Sequence, residues 1–187
     1  MTGSPRTREA ICAALVALHE ESVQYWTGIN TAQFLAPIND AWSPADNVRH
    51  LTKSMRAVTV GLKVHWIFLR LRYGTADGHS RTYEQLRVAY RRALLTGMGA
   101  GRFAPEPRPA PDDPDVERAR IMAFHRTALD EICAATIRWD NESLDKLRLP
   151  HPLLGKLTLR EMLLFTLYHN AHHVENVRNR RGVIVVL

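Results

Sequence analysis

Apolar residues return every three or four positions through four long stretches of the chain, the period of helices with one buried face. Ile11, Leu15, Leu18 and Tyr25 mark the first stretch, and Val48, Leu51, Met55, Val58, Leu62 and Leu69 the second. Ile121, Phe124, Ala128 and Ile132 mark the third, and Leu159, Leu163, Thr166, Val174 and Val177 the fourth. Helix starts are written beside them. Ser4-Pro5, Ser43-Pro44 and Asp113-Pro114 each set a capping oxygen before a proline at the first helical position, where the missing N–H is not needed. Thr82 with Gln85, and Thr158 with Glu161, have the spacing of capping boxes. Strand-like alternation is confined to the tail 183–187, after Gly182 as a helix terminator. The pattern predicts an all-α protein, a four-helix bundle of one domain over 1–187. Its second and third helices are joined by a long crossover, about 73–113, holding a short extra helix that starts at Thr82. The rest of that connection contains PEPRPAPDDP, too rich in proline to be regular, and a long ordered loop of this kind often borders a site.

The candidate chemistry lies on the last helix, TLREMLLFTLYHNAHHVENV. His169 and His173 stand one turn apart and point the same way, so two ring nitrogens can grip one divalent ion. His172 is turned away from their midline, which suits a residue that supports the ligands or lines the site. A third ligand has to come from another helix. His50 lies about seven residues, roughly 10 Å, past the start of the second helix, and His173 lies about as far before the end of the fourth; antiparallel helices would bring them level. Around His50 runs a stripe of small or polar residues, Asn47, Ser54, Ala57 and Gly61, which leaves room for an ion, water and a substrate, or else permits close helix approach. His125, between Ile121 and Leu129 on the inward face of the third helix, is expected to line the same cavity. His19 and His65 are expected in the core or at its boundary, and His79 and His151 in loops.

A chain of 187 residues can bury about two-thirds of its unfolded surface, so folding requires neither disulfides nor a structural metal, and an ion here would serve function. Cys12 and Cys133 sit in apolar helical stretches without CxxC spacing, as inert core thiols of a protein kept in a reducing compartment. The formal charge of +6 comes from scattered arginines with no nucleic-acid-binding motif; a solvated surface and no specific nucleic-acid partner are expected. Arg178, Arg180 and Arg181 complement the carbonyl end of the last helix. With no signal-peptide order at the N-terminus and no apolar run near the roughly 20 residues that span a bilayer, a cytoplasmic protein without membrane partners is expected.

The segment from His151-Pro152 through Gly155, Thr158 and Glu161 to His169 and His172-His173, with Trp42-Ser43-Pro44-Ala45 and His50 upstream, resembles the DinB-like superfamily of metal-binding four-helix bundles. The resemblance spans nearly the whole chain and is weakest in the third helix. It implies metal ligands at His50, His169 and His173, the trio that geometry also selects. It further implies a divalent ion such as zinc or nickel, frequent homodimers, and in some members transfer or isomerisation reactions that use low-molecular-weight thiols such as mycothiol or bacillithiol. Three neutral imidazoles leave positions open on an ion, as catalytic sites do. The expected function is therefore a metal-dependent enzyme that activates a small thiol or water against a small-molecule substrate, S-transferase-like or hydrolase-like. The sequence supplies no evident nucleophile or general base, since Glu161 is occupied as a cap and Glu175 faces away. The alternative is a noncatalytic metal-binding or interaction protein of the same fold, its apolar tail burying a dimer interface.

Overall fold

Residues 4–97 and 99–182 are described by the computed structural model, and the expected tail strand at 183–187 lies outside them. Four long helices form the bundle: α1 (Arg8–Thr27), α3 (Pro44–Lys63), α6 (Pro114–Ile137) and α8 (Leu159–Arg180). Helix α3 packs on α6 and α8, and α1 packs on the same two from the other side. So α1 and α3 are diagonal partners, as are α6 and α8. Short helices α2 (Thr31–Leu35), α4 (Trp66–Tyr73) and α7 (Asn141–Lys146) occupy the connections, and the crossover holds α5 (Tyr83–Leu95), which lies along α8.

Most caps stand where the sequence puts them. Ser43, Thr82, Asp113 and Thr158 each accept a backbone N–H of the first turn, with full capping boxes at Ser43, Thr82 and Thr158. The first helix is an exception. Thr7 rather than Ser4 caps it, and the Ser4 hydroxyl instead accepts the Tyr83 N–H at 3.1 Å, tying the N-terminal segment to α5. The second expected helix is two. Val64 is extended and the exposed His65 caps α4 through its own Nδ1, accepting from Ile67, so His65 is a helix cap and not a core residue. Phe124, expected inward, is 48% exposed under the Arg56 guanidinium, at the edge of its apolar stripe.

A hairpin that periodicity does not reveal precedes α8. Strand β1 (Arg148–His151) pairs antiparallel with β2 (Gly155–Thr158), and Leu149 opposes Leu157. Four-residue strands containing a proline give too little alternation to read. His151 closes the turn, its Nδ1 accepting the N–H groups of Leu153 and Leu154 at 3.1 Å each, while Gly155 takes φ +74°. Leu149 seats on α3 at Gly61, where an added Cβ would lie 2.7 Å from Leu149 Cδ1. At Gly61 the small-residue stripe therefore means close packing. The buried Cys12 thiol donates to the Cys133 carbonyl at 3.9 Å, and both thiols are free within the α1–α6 contact.

The apolar core is divided. One cluster, with Leu15, Met55, Leu129 and Leu163, fills most of the bundle; a second gathers Trp26, Phe34, Val48, Ile121 and Val177 at one end. Between them each long helix contributes buried polar side chains: His19 and Ser22, His50 and Thr52, His125, His169 and Asn170. Among the described residues no helix is long and apolar enough to cross a membrane.

His125 belongs to this polar layer but not to the expected cavity. Its Nδ1 meets Thr52 Oγ1 at 3.1 Å, the Thr52 hydroxyl donates onward to the Val48 carbonyl, and the ring faces His19. Burial, with His19 beside it, pushes its pKa down to about 3. The unfolded chain therefore takes up a proton near pH 6.5 that the native state refuses, so this stability is complete above pH 6.5 and is lost as pH falls toward 3. The loss should approach 1.4 kcal/mol per pH unit from this group. Urea titrations of His125→Gln across that range should show a shallower dependence on pH than wild type; parallel slopes would contradict a buried neutral ring.

Candidate metal centre

Helix α8 presents His169 and His173 from successive turns, and α3 presents His50 against them. His50 Nε2 and His173 Nε2 each lie 3.1 Å from His169 Nε2. Asn47 on α3 meets His173 while His50, one turn further on, meets His169, so the helices run antiparallel and the depths match as expected. All three rings are removed from solvent, His50 and His169 being 4% and 5% exposed. Burial pushes the pKa values of His169 and His173 well below the ordinary imidazole value, with the neighbouring rings adding to the effect, and burial lowers that of His50. The rings are neutral.

Their outer nitrogens fix which tautomer each adopts. His50 Nδ1 lies 2.8 Å from the Phe103 carbonyl, which can only accept, so Nδ1 carries the proton. Asn47 turns its amide nitrogen to the Ser43 carbonyl at 2.8 Å, leaving its Oδ1 to accept from His173 Nδ1 at 2.7 Å. Both rings thus aim an Nε2 lone pair at His169, whose single Nε2 hydrogen could satisfy at most one of them. A cation satisfies three converging lone pairs, and the group could hold a metal ion, with its ligand atoms within 4.8 Å of one another. Trp42 holds the arrangement from the side, stacked at 6.1 Å on His173 and 5.2 Å from His50.

A profile of the DinB superfamily matches residues 14–177. The chain belongs to the DinB superfamily. Among solved structures, TT2238, a four-helix bundle protein, is similar over 92% of this chain and 99% of its own, at 16% identity and a TM-score of 0.58, a likeness of fold alone. No curated protein matches.

In this DinB-superfamily chain the imidazoles open onto a cavity of about 810 Å³. Ser54 and His172 are among its lining residues. Asn47 does not; it supports His173 from behind and borders a smaller depression there. His172 stays outside the trio, its Nε2 accepting from Asn176 Nδ2 at 3.0 Å. Three lining residues escaped the sequence reading. His151, expected in a loop, ends β1 buried against Phe165, with its pKa pushed down to about 4 by burial and by Arg81. Tyr90, on the buried face of α5, stands 6.0 Å from both His169 and His172, and burial beside Tyr168 pushes its phenol up to about 12. Phe103 sits in the 3₁₀ turn Gly101–Phe103 of the long crossover, so that connection does border the site. A leucine–tyrosine pair at four-residue spacing, Leu86 and Tyr90, was the available signal for the α5 face.

Replacing Asn47 by leucine removes the acceptor that holds the His173 tautomer. Competition with a chromophoric chelator should show metal affinity reduced about 10–100-fold, the usual cost of losing such a partner. Asn47→Asp, which keeps an acceptor, should lose much less, and wild-type affinity in the leucine variant would refute this role.

Proposed function

We propose that His50, His169 and His173 hold a divalent ion, zinc or nickel, and that the protein is a metal-dependent enzyme. In this reading a low-molecular-weight thiol or water attacks a small electrophile held in the adjoining cavity. The carrying observation is the meeting of three Nε2 atoms whose lone pairs no hydrogen-bond pattern among them can satisfy together. A bound ion supplies the charge that lowers the pKa of a thiol or water toward neutrality. The chain's own groups do the rest. Phe103 and Asn47 keep the ligand nitrogens facing inward, and the apolar walls exclude water from the reacting groups. Tyr90, protonated at neutral pH, can donate to an oxygen of the substrate, and His172 offers a neutral imidazole at the rim. Glu161 is unsuited to proton transfer because it caps α8 and pairs with Arg81 at 2.8 Å.

Purified protein should contain about one equivalent of metal, measured by plasma mass spectrometry, and should consume thiol in a panel of thiols and electrophiles. That consumption should stop with a chelator and return with zinc or nickel. Metal without turnover would favour the noncatalytic metal-binding alternative, and absence of metal binding would end the enzyme reading and leave only an interaction protein.

A further inference from the structure

The cavity has a shape and charge that the metal alone does not explain. Its floor follows α3 from His50 through Ser54 and Ala57 to Gly61, where Leu149 seats, a span of eleven helical rises that extends about 16 Å away from the imidazoles. The walls there are apolar, and they continue into side chains that a folded chain would otherwise bury: Val60 and Phe68 are each 66% exposed and Leu71 79%. Among the described lining residues none is a carboxylate, while two are arginines, Arg72 and Arg102. Neither takes part in an ion pair among the described residues; each only lies over the ring of its neighbour, Tyr73 or Phe103. A long apolar trough edged by two unneutralised guanidiniums complements one kind of small molecule.

We infer that the cavity binds an amphipathic organic anion, a single aliphatic chain lying along α3 with its acidic group paired to Arg72 or Arg102. This deepens the proposed function, on which it rests only for the identity of the reacting end. An uncharged chain would leave the guanidiniums unused, and a cationic one would be repelled. The arginines are exposed, so each should contribute a factor of a few and the pair about tenfold.

Calorimetric titration of the chelator-treated protein with dodecanoate, dodecanol and dodecyltrimethylammonium, below their aggregation limits, tests this. Dodecanoate should bind one to one and about tenfold more tightly than the alcohol, with the cation weakest. Arg72→Gln combined with Arg102→Gln should erase the preference for dodecanoate without weakening the alcohol. Ala57→Phe, which obstructs the trough at an exposed helix position, should weaken both chains more than tenfold. Equal affinity for the three head groups, or binding unchanged by Ala57→Phe, would overturn the inference. So would a preference for dodecanoate that emerges only after zinc is added, because the carboxylate would then be going to the ion. Metal content is measured on separate samples without any of these compounds, so failure of the trough and failure of the metal reading give different results.

Discussion

His169→Ala should strip the protein of metal while leaving its helices in place. His169 is the shared contact of the trio, 3.1 Å from both other Nε2 atoms, and without it two imidazoles from different helices remain. The fall in affinity should exceed about 100-fold, the upper range for losing a mere supporting partner. Far-ultraviolet circular dichroism should change little, because the core does not need the ion to fold. His173→Ala should behave similarly, whereas His172→Ala should keep its metal, since that ring bonds to Asn176 instead. Added zinc should raise the melting temperature of wild type and not of His169→Ala, as binding linkage requires. Wild-type metal content in both His169→Ala and His173→Ala would remove the basis of the proposed function.

Asp145→Ala is expected to destabilise the fold by about 3–5 kcal/mol, the cost of leaving a buried charge without its partner. The Arg160 side chain is 4% exposed; its Nε and Nη2 donate to the two Asp145 oxygens at 2.7 and 3.0 Å, and Nη2 also donates to the Asn141 carbonyl. Its Nη1 already has no partner, so little is available to take over. The pair fastens α7 to the first turn of α8, beside the hairpin that seats on α3, and thereby fixes where α8 begins relative to His50. Thermal melts should show a fall on the order of 10 °C for a chain of this size. Replacing both partners, Asp145→Leu with Arg160→Met, should recover much of the loss because no ion is then stranded. A single-variant cost below about 1 kcal/mol would mean that Arg160 finds water instead.

Much of the centre is legible in the sequence because helical geometry is local. A four-residue spacing must place His169 and His173 on one face, and capped starts at Ser43 and Thr158 measure the depth of His50 and of the pair along their helices. His125 shows where such reasoning ends. Its inward face is correctly read, but α6 stands diagonal to α8, so inward there means toward Thr52 of α3 and His19 of α1. A helical period tells which face is buried and not which neighbour buries it. The break at Val64 was hidden for a related reason: Leu69 continues the apolar register across a bend that only the backbone reveals.

By itself the sequence determined the buried faces of the four long helices, most of the caps at their starts, the long crossover with its extra helix, and the pairing of His169 with His173 on one face, since each depends on residue type and spacing within a turn or two. Only the tertiary structure decided that His151 and Tyr90 join the site, that Asn47 and the Phe103 carbonyl set the tautomers, and that the trough beside the imidazoles is apolar and edged with arginine. Those relations join residues dozens of positions apart, and their distances follow from how the helices and hairpin pack, which no local pattern encodes.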